Sequence, residues 1–173
     1  MESASMGKSD ESLRSTRLVF YKEDIETIGR SLQVFLKNSN ANCALLVDKD
    51  GHLVTREGQS ASFDVDTISA LVAGSFAATK QMAKLLGEEE FALMFHQGKK
   101  DNIQLSLVGE RTILAVIFDD RTTLGMVRLY SGQIASKLVQ VFRDIGDRKR
   151  EGEKISQDFG QAARGKLDDI FGN

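Results

Sequence analysis

Three features of this chain predict an α/β fold of the α+β kind: a single five-stranded antiparallel sheet with helices on both faces. Five short strand-like runs fall into two groups, and within each group the connecting turns are too short for a crossover, so neighbouring strands run antiparallel. Three other segments repeat apolar residues at spacings of three and four, the signature of amphipathic helices. Two of the strand runs, CALLVD and TILAVIF, are apolar or nearly so throughout, as strands covered on both faces are. The resulting order is α-β-β-α-β-β-β-α, in layers about one sheet.

Taken in order, residues 1–17 are Ser-rich, polar and without periodicity, and read as a disordered leader. A helix follows from Val19 to Lys37, with Ile25, Ile28, Leu32, Phe35 and Leu36 on one face and Asn38-Ser39-Asn40 as its stop. Cys43 to Asp48 and His52 to Glu57 form a hairpin around Lys49-Asp50-Gly51, whose Asp-Gly pair suits a tight turn. Because the chain has no proline, its turns rest on Gly, Asp and Asn.

The longest clean helix signal is Asp64 to Gly87. Asp64 suits the N-cap, Asp66 the first turn and Gly87 the stop. Ile68, Leu71, Val72, Ser75, Thr79, Met82, Leu85 and Leu86 form the stripe expected to lie on the sheet. Beside it run Ala70, Ala73, Gly74 and Ala77, then Lys80, Gln81 and Lys84. That second face is either a solvated Ala-rich surface or a contact surface for another backbone, and periodicity does not choose between them.

Strands are expected at Phe91 to Gln97, Ile103 to Val108 and Thr112 to Phe118, the last central. A final helix begins at Asp120 or Thr122 and carries Leu124, Val127, Ser131, Ile134, Leu138, Val141 and Ile145 at alternating spacings. The core domain thus spans 18–146. From 147 to 173 the apolar pattern dissolves into a charged tether, ending in Leu167, Ile170 and Phe171 at helical spacing. An apolar knob at the end of a charged tether suits docking on a partner; a frayed terminus is the plainer reading.

Composition narrows the function classes. A net charge of −2 gives no bulk attraction to nucleic acid or anionic membrane. The single cysteine, Cys43, cannot form an internal disulfide and fits a reducing compartment. With no run approaching the roughly 18 apolar residues of a membrane span and no secretory signal pattern, a cytoplasmic protein is expected.

Little in the sequence carries chemistry. No Gly-rich phosphate loop is present. His52 and His96 lack neighbours at metal-ligand spacing, and Cys43 heads an apolar strand. Asp119-Asp120 has the makings of a cation pair, but it stands where a helix needs capping, which is the better reading. Arg121 is either a surface arginine or a charge offered to a phosphate in trans. No catalytic residue, metal or cofactor is assigned, and a binding module remains.

Three stretches sharpen this. ALLVDKDGHLVTREG, TISALVAGSFAATKQMAKLLGE and GERTILAVIFDDRTTLGMVRLY, in this order and spacing, resemble the Roadblock / dynein light chain family over about residues 20 to 145. FHQGKKDNIQLSLVG and the added C-terminal segment resemble its bacterial MglB type. The resemblance implies the Roadblock fold and a Ras-like GTPase partner of the MglA type. It implies a homodimer with paired copies of the Asp64–Gly87 helix and a sheet continued across the two copies through the third strand, Phe91 to Gln97. It further implies acceleration of GTP hydrolysis by repositioning the GTPase switch segments, without an inserted arginine, in the service of cell polarity and motility. Nucleotide exchange through the C-terminal segment is a second implied activity. The alternative is a non-catalytic dimeric scaffold. Carried over by position, partner contacts fall on Ala77, Lys80, Gln81 and Lys84, with Lys166, Leu167, Ile170 and Phe171 in the tail. Dimer contacts fall on Ala70, Ala73, Gly74, Phe91, Met94 and His96. Gly160 and Gly165 weaken a tail helix and with it the exchange expectation.

Overall fold

The computed structural model describes residues 19–59 and 62–171, the last five of these by backbone alone. The expected leader therefore lies outside the described residues. Residues 20–141 make one compact unit, which holds the sheet; residues from 142 onward belong to a second.

Helix α1, Lys22–Ser39, opens with a reciprocal cap in which the Asp24 carboxylate accepts the Tyr21 N–H at 3.0 Å. It closes on Asn40, whose φ of 56° is the left-handed stop that asparagine tolerates. Ile28, Leu32 and Phe35 are buried, as their spacing requires.

Strands β1, Cys43–Asp48, and β2, Leu53–Gly58, pair antiparallel through the Asp-Gly turn. Gly51 sits at φ 95°, a conformation the turn needs and other side chains resist. Helix α2, Val65–Leu85, then leads to β3, Leu93–Gln97, β4, Asn102–Val108, and β5, Thr112–Phe118. The sheet order is β2-β1-β5-β4-β3, antiparallel throughout. The two apolar runs, β1 and β5, thus lie side by side in the middle, with Cys43 opposite Ile117 and Asp48 opposite Thr112.

Both faces are covered. On one, Val72 and Phe76 of α2 pack into a cluster with Cys43, Leu45, Val47, Leu105, Ile113, Ala115 and Ile117. On the other lies α1: its Gln33 amide donates to Glu57 at 3.1 Å, and Glu57 stands opposite Ala44, the residue pointing away from that cluster.

Helix α3, Leu124–Phe171, departs from expectation at both ends. It starts two residues after Thr122, because Thr123 is the cap: its hydroxyl accepts the Met126 N–H at 3.3 Å and its carbonyl the Val127 N–H. Val127, Ser131, Ile134 and Leu138 form the buried stripe within the first unit. In the second unit, the stretch expected as a tether is helical through Gly160 and Gly165 to Phe171. Loss of apolar periodicity removes a packing face, not backbone hydrogen bonding, and Glu, Lys, Arg, Gln and Ala are good helix formers. Residues 151–166 are all exposed, Ile155 and Phe159 included.

Candidate partner surface around the second helix

Helix α2 is well delimited. The Asp64 carboxylate accepts the Thr67 hydroxyl at 2.7 Å and the Asp66 N–H at 3.1 Å, bonds that hold its pKa below the usual carboxylate range. The helix ends at Leu85, and Gly87 follows at φ 84°.

Its orientation corrects the sequence reading. The buried residues are Ser69, Val72, Ala73, Phe76 and Ala83, a stripe centred on Phe76. Leu71, Met82, Leu85 and Leu86, expected on the sheet, are exposed, Leu71 by 62% and Leu85 by 87%. The signal was Phe76: as the bulkiest apolar side chain in the helix it gains most from burial, and a stripe drawn through it takes in Ser69, Val72, Ala73 and Ala83.

The helix therefore presents two different flanks. One faces the β1–β2 hairpin. A Cβ on Gly51 would lie 3.2 Å from the Ala70 backbone, so the backbone that approaches these small residues is the chain's own turn. Ala73, expected at a dimer contact, is buried there; Ala70 and Gly74 stay exposed. Further along this flank, Ala73, Phe76, Ala77 and Lys80 line a pocket of about 100 Å³ closed by Lys49 and Glu90. Lys49 Nζ meets both Glu90 oxygens, at 2.9 and 3.1 Å, tying the hairpin to the approach to β3. Ala77, Gln81 and Lys84 are exposed and Lys80 is half-buried, so the four expected partner residues share this flank.

The other flank faces β3, where the Thr79 hydroxyl donates to Met94 Sδ at 3.0 Å. It carries Leu71, Ser75, Met82 and Leu86, all in the stripe expected on the sheet, together with Ala78. Beside it β3 is a sheet edge with its outer amides and carbonyls unpaired by another strand. Of the edge residues expected at the dimer, His96 lies exposed on the strand and Met94 is half-buried beneath α2. Phe91 precedes the strand, which begins at Leu93, because the chain is still leaving the Lys49–Glu90 tie.

The remaining candidates have structural work. Asp119 does not cap α3. Its carboxylate accepts Arg121 Nε at 2.9 Å and Asn42 Nδ2 at 2.9 Å, while Arg121 Nη2 donates to Asn42 Oδ1. The Asn40 amide adds a bond to the Arg121 carbonyl at 2.9 Å. These contacts, Arg121 first, hold the Asp119 carboxyl well below the usual range and raise the Arg121 pKa. The arginine thus ties the β5–α3 junction to the α1–β1 turn. Cys43 is buried, and desolvation pushes its thiol up to about 11, away from nucleophilic use. His52 lies 3.4 Å from Asp48, which also accepts the Asp50 and His52 amides and so shapes the hairpin. No cluster of three metal-ligating side chains occurs among the described residues. The tail residue Lys166 is exposed on α3; the side chains of Leu167, Ile170 and Phe171 lie outside the described residues.

Comparison with known proteins places this architecture. The Roadblock/LC7 domain model matches residues 28–118, from α1 to the end of β5. The chain belongs to the Roadblock/LC7 family. Among solved structures, it is similar to MglB of Myxococcus xanthus, with 40% identity and a TM-score of 0.69 over 74% of this chain and 96% of that one. It is also similar to the gliding protein MglB of Thermus thermophilus, at 32% identity and TM-score 0.68 over 73% and 96%. A third likeness is to MglB in a tetrameric arrangement, at 31% identity and TM-score 0.71 over 74% and 96%. These place it with the MglB type of Roadblock regulators. No described helix is long and apolar enough to cross a membrane.

Proposed function

We propose that this Roadblock protein is a cytoplasmic homodimeric regulator of a small Ras-like GTPase of the MglA type, and that it accelerates GTP hydrolysis without an active site of its own. The observation that carries the reading is the division of α2 into two unlike exposed flanks. The flank beside the open β3 edge is apolar and suits a second copy: Leu71, Met82 and Leu86 bury surface while β3 continues the sheet. The flank toward the hairpin carries Ala77, Lys80, Gln81 and Lys84 and suits the GTPase.

Small side chains there let the GTPase switch segments approach closely, and the lysines meet acidic groups on them. Holding those segments so that the GTPase's own catalytic groups reach the γ-phosphate is catalysis by positioning, effective because the intrinsic reaction is slow. The clamping of Arg121 by Asp119 and Asn42 supports a mechanism without an inserted arginine. Lys166, Leu167, Ile170 and Phe171 are the proposed tail contact, through which nucleotide exchange is promoted. The helical backbone there supports that role more than the glycines suggested. A role in polarity or motility accords with the description of the Thermus relative as a gliding protein.

The test is GTP hydrolysis by an MglA-type GTPase with and without this protein, using the full chain and a version ending at Asp147. The expected result is strong acceleration by both and accelerated exchange by the full chain alone. Binding without acceleration by either identifies a scaffold instead.

A further inference from the structure

The β3–β4 turn and the start of α3 enclose a cleft of about 350 Å³, larger than the pocket beside α2. Its floor is apolar. The rings of Phe95 and Phe118 reach toward each other across β4 and stack at 6.1 Å, with Leu124 of α3 beside them. Phe118 follows Ile117 of the α2-side cluster, so the cleft opens on the sheet face turned away from α2.

The two rims of this cleft carry opposite charges. Lys99 and Lys100 line the turn side, exposed and without an ion-pair partner among the described residues. Asp120 lines the helix side. Arg121 is taken up by Asp119, and Asp120 acts on it only through space. Asp101, in the same turn as the lysines, does not line the cleft.

The last turns of α3 have the matching layout. At 3.6 residues per turn, Leu167, Ile170 and Phe171 fall on one face of the helix. Lys166 and Asp168, immediately before and after Leu167, fall on opposite sides of that face, and Asp169 falls behind it. An apolar ridge with a cation on one side and an acid on the other complements an apolar floor with one acidic rim and one basic rim. We infer that the end of α3 of one copy seats in the β3–β4 cleft of another, with its apolar ridge on the phenylalanine floor. Asp168 then meets Lys99 and Lys100, and Lys166 meets Asp120.

The cleft adjoins the first turn of α3 and the docking ridge is its last, so the contact is head-to-tail. A heterologous contact of this kind does not pair two copies symmetrically; it links molecules into larger assemblies. It uses no α2 residue and is separate from the proposed dimer and GTPase flanks. A tail seated in the cleft is withheld from the GTPase. On the exchange reading of the preceding section, on which this consequence rests, assembly and nucleotide exchange compete.

Charge reversal in the full chain tests the fit, with circular dichroism to verify folding and sedimentation velocity to read assembly. The parent chain should form species larger than the dimer as its concentration rises, and added salt should reduce them. D168K sets a basic tail against a basic rim, and K99E/K100E sets an acidic tail against an acidic rim. Each should weaken the contact roughly fivefold. Mixed one to one, the D168K tail meets the reversed cleft and the unaltered tail meets the unaltered cleft, so the large species return. D169K, on the far side of the helix, should leave assembly unchanged, and Phe171→Asp should abolish it. Equal effects of D168K and D169K, or no recovery on mixing, overturn the inference. So does a parent chain that keeps one size at every concentration, which leaves the cleft to a different ligand. Variants that settle at the monomer rather than the dimer refute the dimer reading and leave the head-to-tail contact standing.

Discussion

The two flanks of α2 are made from similar residues and do different things. Ala70, Ala73 and Ala77 on one side and Leu71, Ala78 and Met82 on the other are apolar residues on a single helix. On the first side the chain has folded its own hairpin onto the helix, leaving a shallow pocket and lysines at the surface. On the second nothing in the described chain covers large apolar groups, and the neighbouring strand is unpaired along its outer edge. An exposed leucine by itself means little; Leu71, Met82 and Leu86 together beside an open strand are what the proposed dimer would cover. The difference teaches that residue size along a helix does not reveal which side is spoken for. What decides it is where the rest of the chain lands.

The comparison breaks most severely at the ridge between the flanks. Phe76→Ala removes the ring that seats α2 on the sheet and should cost about 3–5 kcal/mol, read as a loss of stability in urea unfolding. A loss below about 1 kcal/mol would mean that the helix is not anchored through Phe76 and that the two flanks are misassigned.

Single arginines on each flank separate their roles. Met82→Arg should weaken dimerisation by about 100-fold, or roughly 3 kcal/mol, measured by ultracentrifugation. Ala77→Arg should leave the dimer intact while lowering GTPase affinity by a similar factor in a titration. The opposite pattern would exchange the two assignments.

The smallest effect concerns the Asp119–Arg121–Asn42 tie, which is outside both flanks. The folded state lowers the Asp119 pKa, so this contribution to stability is complete above the unfolded value, about 3.9, and fades as pH falls toward the folded one. Asp119→Asn should flatten the acid limb of the stability profile below about pH 4 and change little at pH 7. Arg121→Ala should likewise preserve GTPase acceleration. If acceleration disappears while binding persists, the arginine acts on the nucleotide after all.

The chain itself determined the order of its elements and the antiparallel sheet, though not that the last helix runs on past residue 147. Those follow from local rules: Asp-Gly at a hairpin turn, continuous apolar runs in β1 and β5, and helical spacing in α1. It did not determine which face of α2 is buried. Alanine, serine and glycine recur around that helix, so several stripes fit the sheet, and only the docking of Phe76 among Leu45, Ile113 and Leu105 selects one. Nor did it determine that Ala73 is covered by Gly51 or that Arg121 is clamped by a residue 79 positions away. Each of these depends on contacts between segments remote in the chain. Periodicity records that a residue is suited to burial, and the tertiary structure decides what, if anything, buries it.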